Sequence, residues 1–549
     1  MQADEITDVY PGYDVFLEFL RFDRDSCTIE GYVASGLDCS GVSVDLVNNE
    51  AVYHCSGKIN THRSNKYNPE RYVFFCKIPL SERNTIRINV IRAGQHLIVS
   101  NIYSAKFFPV CSTYKNAYYA DGHWKSTFYD DGIRIVKTNS FDKLKSEAAF
   151  LRELWHTGGL RERKAVFARI AYRFLKAFKR KPIWIISDRA DRAGDNGEAF
   201  FEYVRREHSK TIKAVFAIRK DSPDYDRIKS IGPVVEAISL RHKFLYLLSD
   251  CSISSQANPI INPFLRCSNC YRDILCHINR IFLQHGVTKD DQSGWLNRYS
   301  RELRGFVTAG VPEYESIVSG AYGYPASAIW LTGFPRFDSL YLKNRKIITF
   351  MPTWRKYLMS DLDVKTGIRE LYSDFQSSPF YRFYDNLMNH DTLLQEANRL
   401  GYRLQFLPHP LLQPYLDLFH TNSQVKLLGV STKYRDVYAE SALVITDYSS
   451  AVFDFAYLRK PVIYCQFDAD TFFSGAHTYT KGYFDYERDG FGEVEYDVES
   501  TVDRIVEYMK NGCRLKDKYR ERIDNFFAFN DKDNCRRVYE KIIDLSQAE

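Results

Sequence analysis

One continuous stretch, residues 443–464, constrains the fold more than any other. It opens with Leu443-Val444-Ile445, passes through Thr446-Asp447-Tyr448-Ser449-Ser450, and continues as Ala451-Val452-Phe453-Asp454-Phe455-Ala456-Tyr457 before Lys460-Pro461-Val462-Ile463-Tyr464. Three consecutive apolar residues, two of them β-branched, suit a strand buried on both faces of a parallel sheet. Ser449 or Ser450 can cap a helix that buries Val452, Phe453 and Ala456, and Pro461 ends that helix ahead of a second strand. The unit is strand, polar turn, helix, strand. At its turn, free backbone N–H groups and the positive helix end meet two hydroxyls, a seat suited to phosphate. An ordinary capped helix would look the same, but it would not need Asp447 and Asp454 near its packed face.

With 549 residues the chain exceeds one core, so about three domains are expected. A net charge of +6 is too small to imply nucleic acid, and no nucleic-acid-binding signature accompanies it. No run of 18 apolar residues suggests a membrane span. The acidic start, Met1-Gln2-Ala3-Asp4-Glu5, is unlike a signal peptide. Twelve scattered cysteines fit reduced thiols in a cytoplasm.

Residues 1–115 alternate like short strands, for example Val42-Ser43-Val44-Asp45-Leu46, which predicts an all-β sandwich-like accessory domain for binding or assembly. Residues 116–180 read as a helical linker. Within it, residues 161–181 carry nine Lys or Arg and one Glu, interleaved with Val166, Phe167, Ile170, Ala171, Phe174, Leu175 and Phe178 at helical spacing. Such a helix either lies on an anionic membrane surface or connects domains with a solvated basic face.

Strand and helix patterns then alternate, predicting a parallel doubly wound sheet over 181–340 and a second over 341–520, with a C-terminal helix over 521–549. Cys267-Ser268-Asn269-Cys270, with Cys276, lacks the second ligand pair of a zinc ribbon and reads better as reduced thiols. Five strand ends carry anion-compatible residues: His285 with Gly286, Arg336, Thr353 with Arg355, His409, and Ser449 with Ser450. Ligands bind at this edge of such sheets. Arg336 offers a bidentate grip on phosphate, or a surface pair with Asp338. Two prolines flank His409 and fix its direction.

Gln284-His285-Gly286, Gly333-Phe334-Pro335-Arg336, Pro352-Thr353-Trp354-Arg355, His409-Pro410 and Ile445-Thr446-Asp447-Tyr448-Ser449-Ser450 with Phe453-Asp454 together resemble the CDP-glycerol glycerophosphotransferase family of teichoic acid primases and polymerases, in order, over residues 180–490. The resemblance implies an α/β GT-B fold of two lobes with the donor between them and no metal or other cofactor. It implies transfer of a polyol phosphate from CDP-glycerol or a similar CDP-polyol to a hydroxyl of a lipid-linked or polymeric glycan, releasing CMP, by a cytoplasmic enzyme peripheral on the membrane's inner face. His285 and His409 would be the functional histidines; Gly286, Arg336, Thr353, Trp354, Arg355, Thr446, Ser449, Ser450 and Asp454 would meet substrate. Val287-Thr288 and Leu407-Pro408 depart from the family pattern beside both histidines. A GT-B glycosyltransferase using a nucleotide sugar is the alternative, and a nonenzymatic glycan-binding scaffold a further one. Asp468-Ala469-Asp470 matches a metal-binding D-x-D, a three-residue signal too weak to use alone.

Overall fold

The structure is a computed structural model that describes residues 13–547 apart from 36–38, 61–70, 98, 130–131, 258–261, 265–267, 344, 361–370, 373, 421–422, 430–431 and 474–479. Two β-sheets form the N-terminal part. One runs Ser56–Asn60, Arg71–Pro79, Ser26–Ser35, Tyr13–Phe22, Val99–Ser104, antiparallel except for the last pair. The other runs Tyr118–Asp121, Trp124–Tyr129, Gly132–Lys137, Arg83–Arg92, Val42–Asn48, Ala51–His54, with Gln95–Leu97 on Arg83–Arg92. Alternation drives this packing: in Arg83–Arg92 the even-numbered Ile86, Ile88 and Val90 are buried. The sandwich thus continues to Lys137, beyond the boundary expected at 115, because the three-strand meander after Ala117 completes its second sheet. Helices Ser140–His156 and Leu160–Ala177 follow.

Two parallel sheets make the rest. The first is ordered Val234–Glu236, Lys213–Ile218, Ile183–Ser187, Cys251–Ser254, Asn279–Phe282, Gly305–Thr308, Ile329–Leu331. The second is Val425–Leu427, Arg403–Phe406, Ile347–Met351, Leu443–Thr446, Val462–Cys465, Gly492–Glu495. Central strands such as Ile183–Ser187 and Ile347–Met351 are buried at every residue, as helices covering both faces require. This is the two-lobed GT-B arrangement, with all strand C-termini of each lobe on one edge. The chain finishes with Asp517–Phe526 and Asn534–Gln547, the latter packed on Asn196–Glu207 of the first lobe.

One hydrophobic cluster spans the lobes, from Trp184, Phe200 and Ile253 to Val444, Phe453 and Val538. A second joins the sandwich to the first lobe, including Val15, Ile29, Phe150, Ile183 and Val215. Among the described residues no helix is long and apolar enough to cross a membrane. Cys267 lies outside the described residues, Cys270 is buried, and the described residues hold no group of three or more His, Cys, Asp or Glu able to bind a metal.

Candidate active site

The five expected loops all follow C-terminal strand ends, and those of Gly286 and Arg336 in the first lobe reach Ser450 and Asp454 of the second. Gln284, two residues past the strand Asn279–Phe282, has φ of +62° and is held there by bonds from its side-chain amide to Val307 O (2.6 Å) and Glu313 Oε1 (2.9 Å). Thr288 closes the turn, its hydroxyl donating to Gln284 Oε1 at 2.6 Å. His285 is therefore presented from a rigid support. It is exposed to the cleft yet crowded by protein, so desolvation and then the Arg336 guanidinium lower its pKa, against a hydrogen bond to the Ser255 backbone. Gly286 faces the other lobe: a Cβ placed there would lie 2.6 Å from Ser450 Oγ. The two lobes touch at the residues singled out in each.

His409 follows Arg403–Phe406, with Nδ1 accepting from Leu411 N at 3.3 Å and its ring 6.2 Å from that of Trp354. Burial lowers its pKa to about 4. Arg189 lowers the pKa of both histidines, so its positive charge lies within electrostatic range of each. It belongs to the polar loop after Ile183–Ser187 and pairs with Asp191 at 3.0 Å. The strand-end rule applied to this first strand would have found it.

Several expectations are corrected. Arg336 does not hold its fork open for phosphate: Nε and Nη2 donate to the two Asp454 oxygens at 2.6 Å each, and Nη1 to Asp195 at 2.8 Å. Asp454 is likewise occupied, so the expected hydroxyl and phosphate contacts are replaced by an ion pair linking the lobes. Asp338 pairs not with Arg336 but with Asn534 and Cys535, accepting their backbone N–H groups at 3.0 and 2.8 Å. Arg355 is fully buried between Asp447 (2.9 Å) and Asp468 (2.7 Å), ringed by Phe380, Tyr448, Phe467 and Phe472. It cannot reach a ligand, and it takes up the first carboxylate of the D-x-D triplet. Thr446 is buried too, its hydroxyl donating to Met351 O at 2.8 Å.

The Ser449–Ser450 turn also differs from a serine-capped helix. The helix Val452–Tyr457 begins after Ala451 without a side-chain cap, and Ser449 Oγ accepts from Ala451 N at 3.2 Å. Asp447 organises this region, accepting from Thr353 N (2.9 Å) and Tyr448 N (2.6 Å). Thr353 Oγ1 is buried with no hydrogen-bond partner among the described residues. Across the cleft, Asn196 binds Leu283 O and Gln284 O through Nδ2 and accepts from Arg336 N at 3.0 Å, tying the His285 and Arg336 loops together. Asp188, pushed up to about 7 by burial, anchors the same helix start by accepting from Gly197 N at 2.7 Å. Asn196 was hidden in sequence because its partners lie 87 and 140 residues away.

The sequence model of the CDP-glycerol:poly(glycerophosphate) glycerophosphotransferases matches residues 167–544. The minor teichoic acid biosynthesis protein GgaB of Bacillus subtilis (strain 168) is 34% identical over 545 residues, 96% of this chain and 59% of that protein. The teichoic acid poly(ribitol-phosphate) polymerase of Bacillus spizizenii (strain ATCC 23059 / NRRL B-14472 / W23) is 24% identical over 402 residues, 69% of this chain and 58% of its own. The chain thus spans less than two thirds of the length of these curated relatives. Among solved structures, the wall teichoic acid polymerase TagF aligns with a TM-score of 0.51 at 16% identity, covering 74% of this chain and 98% of that one.

Proposed function

Since the chain belongs to the CDP-glycerol:poly(glycerophosphate) glycerophosphotransferase family, we propose that it moves a polyol phosphate, glycerol phosphate foremost, from a CDP-polyol to a hydroxyl of a lipid-linked or polymeric glycan in cell-surface polymer synthesis. The acceptor oxygen attacks the polyol-bearing phosphorus, the bond from that phosphorus to the bridging oxygen breaks, and CMP leaves with the electron pair. The observation that carries this reading is the meeting of the His285-Gly286 turn with Ser450 across the cleft. It brings a base and a polar phosphate seat to one point.

The two imidazoles suit opposite tasks. One ring nitrogen of His285 donates to the Ser255 carbonyl, which leaves the other unprotonated and able to take the acceptor's proton. His409 accepts at Nδ1, so in its neutral form Nε2 carries hydrogen and donates to a phosphate oxygen as charge grows on CMP. Arg189, Thr353, Trp354 and the Ser449–Ser450 turn complete the donor grip. The Arg336–Asp454 pair sets the lobes at the spacing this grip needs.

Association with the inner membrane surface is part of the proposal. Phe167, Ile170, Phe174 and Phe178 are exposed on one face of Leu160–Ala177 and just beyond it, beside Arg163, Lys164 and Lys179-Arg180-Lys181. An apolar stripe edged by cations complements an anionic lipid surface.

The test is incubation with CDP-glycerol, CDP-ribitol and UDP-sugars in the presence of acceptor, following CMP and UDP. CMP release is expected, and His285→Ala should reduce it by on the order of 100-fold or more. Release of UDP instead would install the nucleotide-sugar reading.

A further inference from the structure

Away from the cleft, a partly enclosed cavity of about 100 Å³ lies where the sandwich meets the first lobe. A water molecule takes up roughly 30 Å³ of liquid, so the space suits a group of several heavy atoms. Four cationic side chains line it: Lys106 from the sandwich, and Arg272, Arg280 and Arg301 from the lobe. Among the described lining residues Glu302 is the one carboxylate, and it pairs with Arg280. Arg272 bonds neutral acceptors, Asn269 Oδ1 at 2.8 Å, Ser104 Oγ at 2.9 Å and Ala105 O at 2.6 Å, which also dock the sandwich on the lobe. Burial, then Arg280 and Arg301, lower the pKa of Lys106; burial lowers that of Arg272 as well. Arg280 and Arg301 both repel the Lys106 ammonium across this small space, and an anion placed there relieves that repulsion.

Its place in the fold identifies the side of the reaction it serves. Ser254 and Gln256 line the cavity, and the residue between them, Ser255, holds His285. The nucleotide-side turn at Ser449 and Ser450 belongs to the other lobe. We infer that this cavity is a phosphate-class oxyanion site and that its occupant is a phosphodiester of the acceptor chain, held while the chain's terminal hydroxyl meets His285. The oxyanion site stands on the cavity alone; its assignment to the acceptor rests on the proposed transfer reaction. It also gives the sandwich a role, since Lys106 comes from that domain.

Calorimetric titration with inorganic phosphate, and with a short glycerol phosphate oligomer, tests both levels on the full chain. Lys106→Ala and Arg301→Gln are the variants, with thermal melts to show that they fold. The Lys106 side chain keeps contact with solvent, and the melts establish that its replacement leaves the fold intact. Any phosphate bound in the cleft is common to all three proteins and cancels in the comparison. Wild type is expected to bind phosphate at least fivefold more tightly than either folded variant, and the oligomer by a similar ratio. In turnover, the acceptor KM of Lys106→Ala should rise several-fold while the CDP-polyol KM stays put. Equal phosphate affinity in all three proteins would overturn the site. Discrimination by free phosphate without discrimination by the oligomer would overturn the acceptor assignment. A wild type that releases no CMP would sink the transfer reaction, while the phosphate titration would still decide the site.

Discussion

His285 and His409 sit on opposite lobes, and both are depressed below the ordinary imidazole value of 6.5. The unprotonated form of His285 is thus favoured at neutral pH, and in the proposed reaction activity is lost only as pH falls through its lowered pKa. The acid limb of kcat/KM should lie below pH 6.5, and Arg189→Gln, which removes a cation near both rings, should move it upward. An unmoved limb would detach Arg189 from the cleft. For stability, a histidine depressed in the folded state contributes fully above 6.5 and loses that contribution as pH falls toward about 4. His409→Asn should accordingly flatten the fall in urea midpoint across that window. Arg355 makes a different prediction, because its partners Asp447 and Asp468 are themselves buried. Arg355→Met leaves two buried carboxylates unpaired and should cost about 3–5 kcal/mol in urea unfolding, where a phosphate ligand would have changed KM instead.

Elements show most clearly what sequence could and could not convey. The five strand-end loops were legible because a buried parallel strand followed by a polar turn leaves its own local signature, and contacts such as Gly286 with Ser450 and Thr353 with Asp447 bring several of them together. Their pairings were not legible. Arg336 and Asp454 are 118 residues apart, so nothing local reveals that each neutralises the other. The helix Leu160–Ala177 is a similar case. Its period was readable, but not which side faces inward: Ala165, Val166, Arg169 and Tyr172 are buried, while Phe167, Ile170 and Phe174 are exposed. The cause is a buried charge cluster, in which Arg169 donates to both oxygens of Glu147 and of Asp273 at 2.7–2.8 Å. These bonds hold Arg169 inward with Ala165, Val166 and Tyr172 and leave the phenylalanines outside. Phe167→Glu with Phe174→Glu should therefore abolish co-sedimentation with anionic vesicles while leaving CMP release toward a soluble acceptor unchanged. Retained vesicle binding would remove this helix from the membrane contact.

At the scale of the molecule, the lobes are joined more firmly than a single linker would manage. One apolar cluster passes between them, Asp291 and Thr480 form a bridge across them, and Arg336 binds Asp454. The last helix completes the connection, because the chain leaves the second lobe and returns to the first. Val538 and Ile542 are fully buried, Asp338 accepts the Asn534 and Cys535 N–H groups, and Arg537 Nε donates to Thr332 O at 2.9 Å. The proposed reaction draws its base from one lobe and its phosphate seat from the other, so it works only if the lobes keep their spacing. Unseating the helix should then affect both stability and donor binding. Ile542→Ala removes buried methylenes and should cost roughly 2–5 kcal/mol. Ile542→Asp goes further by placing a charge in the apolar cluster, and should split a shared thermal transition into two as the lobes lose their common core. The same variant should raise the CDP-polyol KM although residue 542 lies far along the chain from every cleft loop. A single unsplit transition with an unchanged KM would mean that the lobes hold their spacing without this helix.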